Sequence, residues 1–183
     1  MLVCSVDIGI KNYAYSIIVC DQTECSNPFG SMCVVTADKL CLTEKRIKDQ
    51  AALLRACRVL TTHFDENMVL QGVDAVLIES QLPGNPVCMK LGMHTASYFM
   101  IRHPNAKIHY VSPKIRLRVM GDVPPGHTSG PSWKRLSVER VHSAILQYPE
   151  QYRMLAATLE LHREKQDDLC DSICQCAAWL AQN

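Results

Sequence analysis

The hydrophobic positions change their period several times along the chain, and those changes divide it into elements. LVCSVDIGI (residues 2–10) and YAYSIIVC (13–20) are near-continuous apolar runs with Lys11 and Asn12 at the bend, which predicts a hairpin of two strands. SMCVVTA (31–37) predicts a third strand. From Glu44 to Phe64 the spacing becomes three to four, through Ile47, Ala51, Leu54, Cys57, Leu60 and Phe64, as an amphipathic helix requires. DAVLIES (74–80) is a short continuous apolar run, the pattern of a strand buried on both faces. PVCMKLGMHTASYFMIRH (86–103) opens with proline, reads as a helix, and returns the chain to a further strand, KIHYVS (107–112). GDVPPGHTSGPS (121–132) predicts an exposed loop. Helical patterns then run over 133–148, 150–165 and 167–182. Three antiparallel strands followed by helix, strand, helix, strand and helices predict a layered α/β fold with a mixed sheet.

Composition narrows the classes. At 183 residues and 48% hydrophobic, the chain can build one substantial core, so a single domain over 1–183 is expected. The net charge of +1 neither demands nor excludes a polyanionic partner. Ten cysteines without a CxxC pair or a secretory signal pattern predict reduced, mostly buried thiols rather than disulfides or a zinc site. The seven histidines show no HxxxH spacing, and no apolar run reaches the ~20 residues of a membrane span, so no membrane partner is expected.

Three sets of acids fall at telling places: Asp7 inside the first strand, Glu79 at the end of AVLIE, and Asp168 with Asp171 at the start of the last helix. Each has a plain structural use, as a lysine partner, a strand end or a complement to the helix dipole. Together they suggest more, because ligands of open α/β sheets bind outside the strand carboxyl ends. Residues 168 and 171 share one helix face, and Asp167 projects elsewhere. Four converging carboxylates repel one another unless cations lie between them. Two Mg²⁺ ions at ~4 Å, hard cations that take oxygen ligands, suit such a set and the hydrolysis of a phosphodiester. Gly9, beside Asp7, is expected to leave room for a nucleic-acid backbone.

SVDIGIKN, VLIESQ, YVSP and KQDDLCDSI resemble, in order, the motifs of the poxvirus and fungal-mitochondrial Holliday junction resolvases, relatives of bacterial RuvC in the ribonuclease H-like superfamily. The resemblance spans residue 3 to about residue 180. It implies a ribonuclease H-like fold with a five-stranded mixed sheet of order 3-2-1-4-5, flanked by helices. It also implies a homodimer that nicks four-way DNA junctions symmetrically, with Mg²⁺ or Mn²⁺, two per active site, and no small-molecule cofactor. Asp7, Glu79, Asp168 and Asp171 would be the catalytic, metal-binding acids. Lys134 would contact the scissile phosphate, with Arg116 or Lys114 as second candidates.

Other groups are read for DNA contact. Lys11 and Asn12 at the hairpin bend, Lys114, Arg116 and Arg118 in KIRLRVMG, and Lys134 and Arg135 in WKRLSVER are candidate phosphate contacts. Trp133, Tyr13 and Tyr15 offer rings for stacking, although Tyr15 also fits a core position. Met89, Met93 and Met100 form a helical stripe that suits either a core or, by the resemblance, a dimer interface. Rival readings are another ribonuclease H-like nuclease, such as an RNase H, an exonuclease or a transposase core, and a non-catalytic binder of branched DNA. The N-terminus carries no Arg-rich presequence, which predicts a viral protein of the host cytoplasm, with the mitochondrial matrix as the alternative.

Overall fold

The computed structural model describes residues 1–23, 26–119, 131–163 and 165–182, with backbone only at 131 and 132. Its strands are β1 (Leu2–Asp7), β2 (Tyr13–Cys20), β3 (Met32–Leu40), β4 (Ala75–Glu79) and β5 (Lys107–Val111). Its α-helices are α1 (Gln50–Glu66), α2 (Pro86–Arg102), α3 (Pro131–Gln147), α4 (Arg153–Leu161) and α5 (Asp167–Leu180). The strands form one sheet in the order β3-β2-β1-β4-β5, as the resemblance implied. β1 pairs antiparallel with β2 and parallel with β4, so Asp7 and Glu79 finish adjacent strands at the same end of the sheet.

The sheet is covered on both faces. One apolar layer joins Val3, Ala14, Ile18 and Leu77 to the inner faces of α3, α4 and α5. The other joins Cys4, Val6, Tyr15 and Ile78 to Leu60 and Phe64 of α1 and to Leu91 and Phe99 of α2. From Asp168 to Leu180 every residue of α5 is buried. Full burial of side chains such as Leu169, Ile173 and Leu180 stabilises by roughly 1.5–3 kcal/mol each, enough to hold two acids of the same helix out of bulk water.

Polar contacts set the register of α5 on the sheet. Gln175 Nε2 donates to Ser5 Oγ at 3.1 Å and to the carbonyls of Val6 and Leu77, each at 3.2 Å. Ser5 Oγ donates to the Ser172 carbonyl at 2.7 Å, and Ser172 Oγ to Ser16 Oγ at 3.1 Å. Gln175 lies four residues beyond Asp171 and seven beyond Asp168, on the same helix face. The clasp that satisfies its amide therefore also aims both acids at the ends of β1 and β4.

Several elements differ from the sequence expectation. The link between β1 and β2 is five residues long, because Ile8 and Ile10 fold into the turn instead of extending the strand. β3 continues through Leu40, three residues past the apolar run, carried by its pairing with β2. α1 starts at Gln50 rather than Glu44: Asp49 caps it by accepting from the Ala52 N–H at 2.7 Å. Leu42 and Ile47 are buried from the non-helical segment before that cap. A 3₁₀ helix, Pro113–Val119, carries the basic KIRLRV stretch. Of the loop expected at 121–132, residues 121–130 lie outside the described residues, and 131 and 132 begin α3.

Candidate active site

Asp7 is the last residue of β1 and Glu79 the last of β4, in register beyond the Val6–Ile78 pair. Asp171 lies over them from the second turn of α5. Burial first, then the charges of Glu79 and Asp171, holds the Asp7 carboxyl well above the usual carboxylate range. Burial likewise pushes Asp171 up to about 6, although the Arg116 guanidinium opposes it. The Ser137 hydroxyl lies close enough to ease that charge but has no hydrogen bond of standard geometry.

Arg116, from the 3₁₀ helix, is the internal counter-ion of this group. Its Nη2 lies 3.1 Å from Glu79 Oε1 and its Nη1 3.2 Å from Asp171 Oδ2. The second contact is an ion pair without hydrogen-bond alignment, since Nη1 and Nε remain unsatisfied as donors. Gln81 Nε2 adds a hydrogen bond to Glu79 Oε2 at 2.9 Å.

Asp168 belongs to the other flank. Burial and the charge of Asp167 raise its pKa, while Lys134 and Lys39 act against that rise. Lys134 Nζ pairs with Asp167 and lies 3.4 Å from Asp168 Oδ1. Burial works against the Lys134 ammonium, yet the surrounding Asp167, Asp168 and Asp171 charges outweigh it and raise its pKa. Asp167, expected to project elsewhere, instead shares Lys134 with Asp168 and holds the lysine beside it.

The structure redistributes the remaining candidates. Lys11 is exposed and pairs with Glu44 at 3.7 Å; Arg135 is exposed and pairs with Glu139 at 3.3 Å. Asn12, with its amide oriented to satisfy both atoms, accepts from Lys165 Nζ at 3.3 Å. Lys114 and Arg118 are exposed beside β5, lining a groove with Tyr110 and Trp179. Arg116, expected at a DNA surface, is instead buried among the acids. Tyr13, Tyr15 and Trp133 are buried in the core and offer no ring to a base, because their apolar surface is already packed. The space beside Gly9 is taken by the Asn12 carbonyl, 2.4 Å from where a Cβ would stand, so that glycine serves the turn rather than a DNA backbone. The described cysteines are free thiols.

Sequence reading missed three features: the Gln175 clasp, the insertion of Arg116, and the placement of Lys39. The first carried a signal, a glutamine inside an otherwise apolar helix. The other two arise from contacts between distant segments.

The donor set can be tested against a metal. Asp7, Glu79, Asp168 and Asp171 are all oxygen donors, as hard divalent cations prefer. Asp171 Oδ1 is buried without a hydrogen-bond partner, and the raised Asp7 carboxyl lacks sufficient positive charge nearby. Both features fit a cation. Among the described residues no three His, Cys, Asp or Glu side chains close into a cage, so water or phosphate oxygens would have to complete the shell.

The chain was compared with known proteins. None of the curated proteins matches it. Among solved structures it is similar to the fowlpox virus resolvase in complex with Holliday junction DNA, at 22% identity and TM-score 0.64, covering 100% of this chain and 98% of that one. It is also similar to the yeast mitochondrial Holliday junction resolvase Ydc2, at 16% identity and TM-score 0.60, covering 98% and 77%. Thermus thermophilus RuvC follows at 14% identity and TM-score 0.56, covering 97% and 92%. At these identities the likeness establishes the fold, which is RuvC-like and of ribonuclease H-like type. The model of the poxvirus A22 protein family matches residues 1–183, and the chain therefore belongs to that family of poxvirus Holliday junction resolvases.

Proposed function

We propose that residues 1–183 form a single nuclease domain that resolves four-way DNA junctions by paired, symmetric, metal-dependent nicks. The observation that carries this reading is the convergence of Asp7, Glu79 and Asp171 at one end of the sheet with an internal arginine balancing their charge. Asp7, Glu79, Asp168 and Asp171 would hold two Mg²⁺ or Mn²⁺ ions. Such ions would activate the attacking water and offset charge on the leaving oxygen. The chain's own residues position and neutralise. β1 and β4 present Asp7 and Glu79 from rigid backbone, and the Gln175 clasp fixes Asp168 and Asp171 against them. Lys134, released from Asp167 by an approaching phosphate, would place a positive charge beside Asp168 where transition-state charge builds.

Two active sites on one junction call for a dimer. α2 supports it: Met93, Met100 and Ile101 are 64%, 56% and 76% exposed on a helix whose opposite face is core, an apolar surface suited to a second copy. As a viral protein it would act in the host cytoplasm. The test incubates the protein with a labelled four-way junction and a matching linear duplex, with Mg²⁺ or EDTA. Symmetric nicking of the junction alone, with Mg²⁺ alone, is expected. Equal cutting of duplex, or preference for the RNA strand of a hybrid, would transfer the chain to a sibling activity. Binding without cutting would make it a non-catalytic junction binder.

A further inference from the structure

Asp7 pairs across the sheet with Ala14, and Ala14 with Lys39. Cross-strand partners share a face, so Lys39 stands in the same row as Asp7, two strand spacings away, about 10 Å. The extension of β3 beyond its apolar run puts it there. Its charge reaches Asp168, whose ionisation it favours. Lys39 Nζ donates to the Lys165 carbonyl at 2.8 Å, and Lys165 Nζ reaches Asn12 in the β1–β2 turn.

An ammonium has three donors, so these contacts leave two on each lysine. Among the described residues neither lysine forms a salt bridge with a carboxylate. Lys11, Arg116, Lys134 and Arg135, by contrast, are each paired with one. The two lysines open onto a cleft of about 460 Å³ with Leu161, His162 and Arg163, where Glu160 is already bound by Arg163. Two cations are thus held beside the acids by neutral oxygen atoms, with spare donors and no resident anion charge, which favours an anionic visitor.

We propose that Lys39 and Lys165 form a phosphate subsite that holds the DNA backbone where a strand enters the acidic centre. This rests on the junction-resolving reading. A phosphodiester there would bridge both ammonium groups and deliver the next stretch of strand past Ala14 towards Asp7.

The test measures binding of the full-length protein to a four-way junction and to linear duplex in Ca²⁺, by fluorescence anisotropy across salt concentrations. At about 0.9 per phosphate neutralised, and with one phosphate bridging both ammonium groups, the plot of log affinity against log salt should be shallower by about 0.9 in Lys39→Ala/Lys165→Ala. Lys39→Arg/Lys165→Arg should restore the wild-type slope. An unchanged slope overturns the subsite, whether or not affinity falls, because a fall without a slope change reports altered structure. Should the slope change equally on junction and duplex while wild type prefers neither, the subsite stands and the junction-resolving reading falls. Loss of slope in the arginine variant as well would overturn the subsite.

Discussion

Replacing Arg116 with methionine tests the electrostatics of the site directly. The substitution keeps an unbranched apolar stem and removes the guanidinium lying 3.1 Å from Glu79 and 3.2 Å from Asp171. The three side chains are 9%, 12% and 5% exposed, so bulk water cannot replace the lost charge. Removing one partner of a buried ion pair costs about 3–5 kcal/mol. Arg116 also leaves Nε and Nη1 unsatisfied, and their removal returns about 1–3 kcal/mol of desolvation penalty, which centres the net loss on about 2 kcal/mol. For a chain of this size that corresponds to roughly 4–8 °C in Tm. The assay is urea and thermal unfolding at pH 7.5 and fixed protein concentration, in EDTA and in 10 mM Mn²⁺. The loss should appear in EDTA and fall below about 1 kcal/mol with Mn²⁺, because a cation bound by the same acids supplies the missing charge. Arg135→Met, which breaks an exposed i,i+4 pair, should change stability by no more than ~0.5 kcal/mol. A loss under about 1 kcal/mol in EDTA, or an equal loss with and without Mn²⁺, would refute the reasoning.

Asp7→Asn, Glu79→Gln, Asp168→Asn and Asp171→Asn should each reduce junction cleavage at least 100-fold while anisotropy in Ca²⁺ shows binding retained, since DNA affinity rests on basic groups elsewhere. Loss of binding in all four would assign the acids to folding instead. Metal-free stability should fall as pH rises from about 4 to about 6. Asp171 binds its proton more tightly folded, at about 6, than unfolded, near 3.8, so its ionisation opposes folding by roughly 3 kcal/mol across that window. Urea titrations should show this slope reduced but not abolished in Asp171→Asn, because Asp7 and Asp168 are also raised and titrate with the same sign, and an identical slope in variant and wild type would contradict it. Met93→Glu/Ile101→Glu should convert a dimer to a monomer by light scattering with no loss of Tm beyond that of dissociation, because both side chains are exposed in the single chain.

The order of elements along the chain and the candidate acids were legible in the sequence because both are local properties. A two-residue or three-to-four-residue apolar period follows from the geometry of the strand or helix that carries it. An acid inside a buried run, as at Asp7, stands out because burying charge is unfavourable without a partner. The α5 pattern put Asp168 and Asp171 on one face and Asp167 on another, whereas the charges divide differently: Lys134 gathers Asp167 with Asp168, and Arg116 gathers Asp171 with Glu79. The order 3-2-1-4-5 was carried by the family resemblance, because apolar period does not say which strands pair.

Tertiary structure alone decided which charges meet. Arg116 reads as one more cation in a basic stretch, yet a 3₁₀ turn between β5 and α3 drives it among the acids, where burial makes it their counter-ion. Lys134 reads as a free phosphate contact until α3 packs on α5 and hands it to Asp167 and Asp168. Lys39 lies outside every apolar run. Only the pairing of β3 with β2 carries the strand that far and lines the lysine up with Asp7 through Ala14. Such contacts depend on cross-strand register and helix packing between segments up to 170 residues apart, as in the bond from Gln175 to Ser5. No local period encodes them, because their energy exists only once the chain has closed around its core.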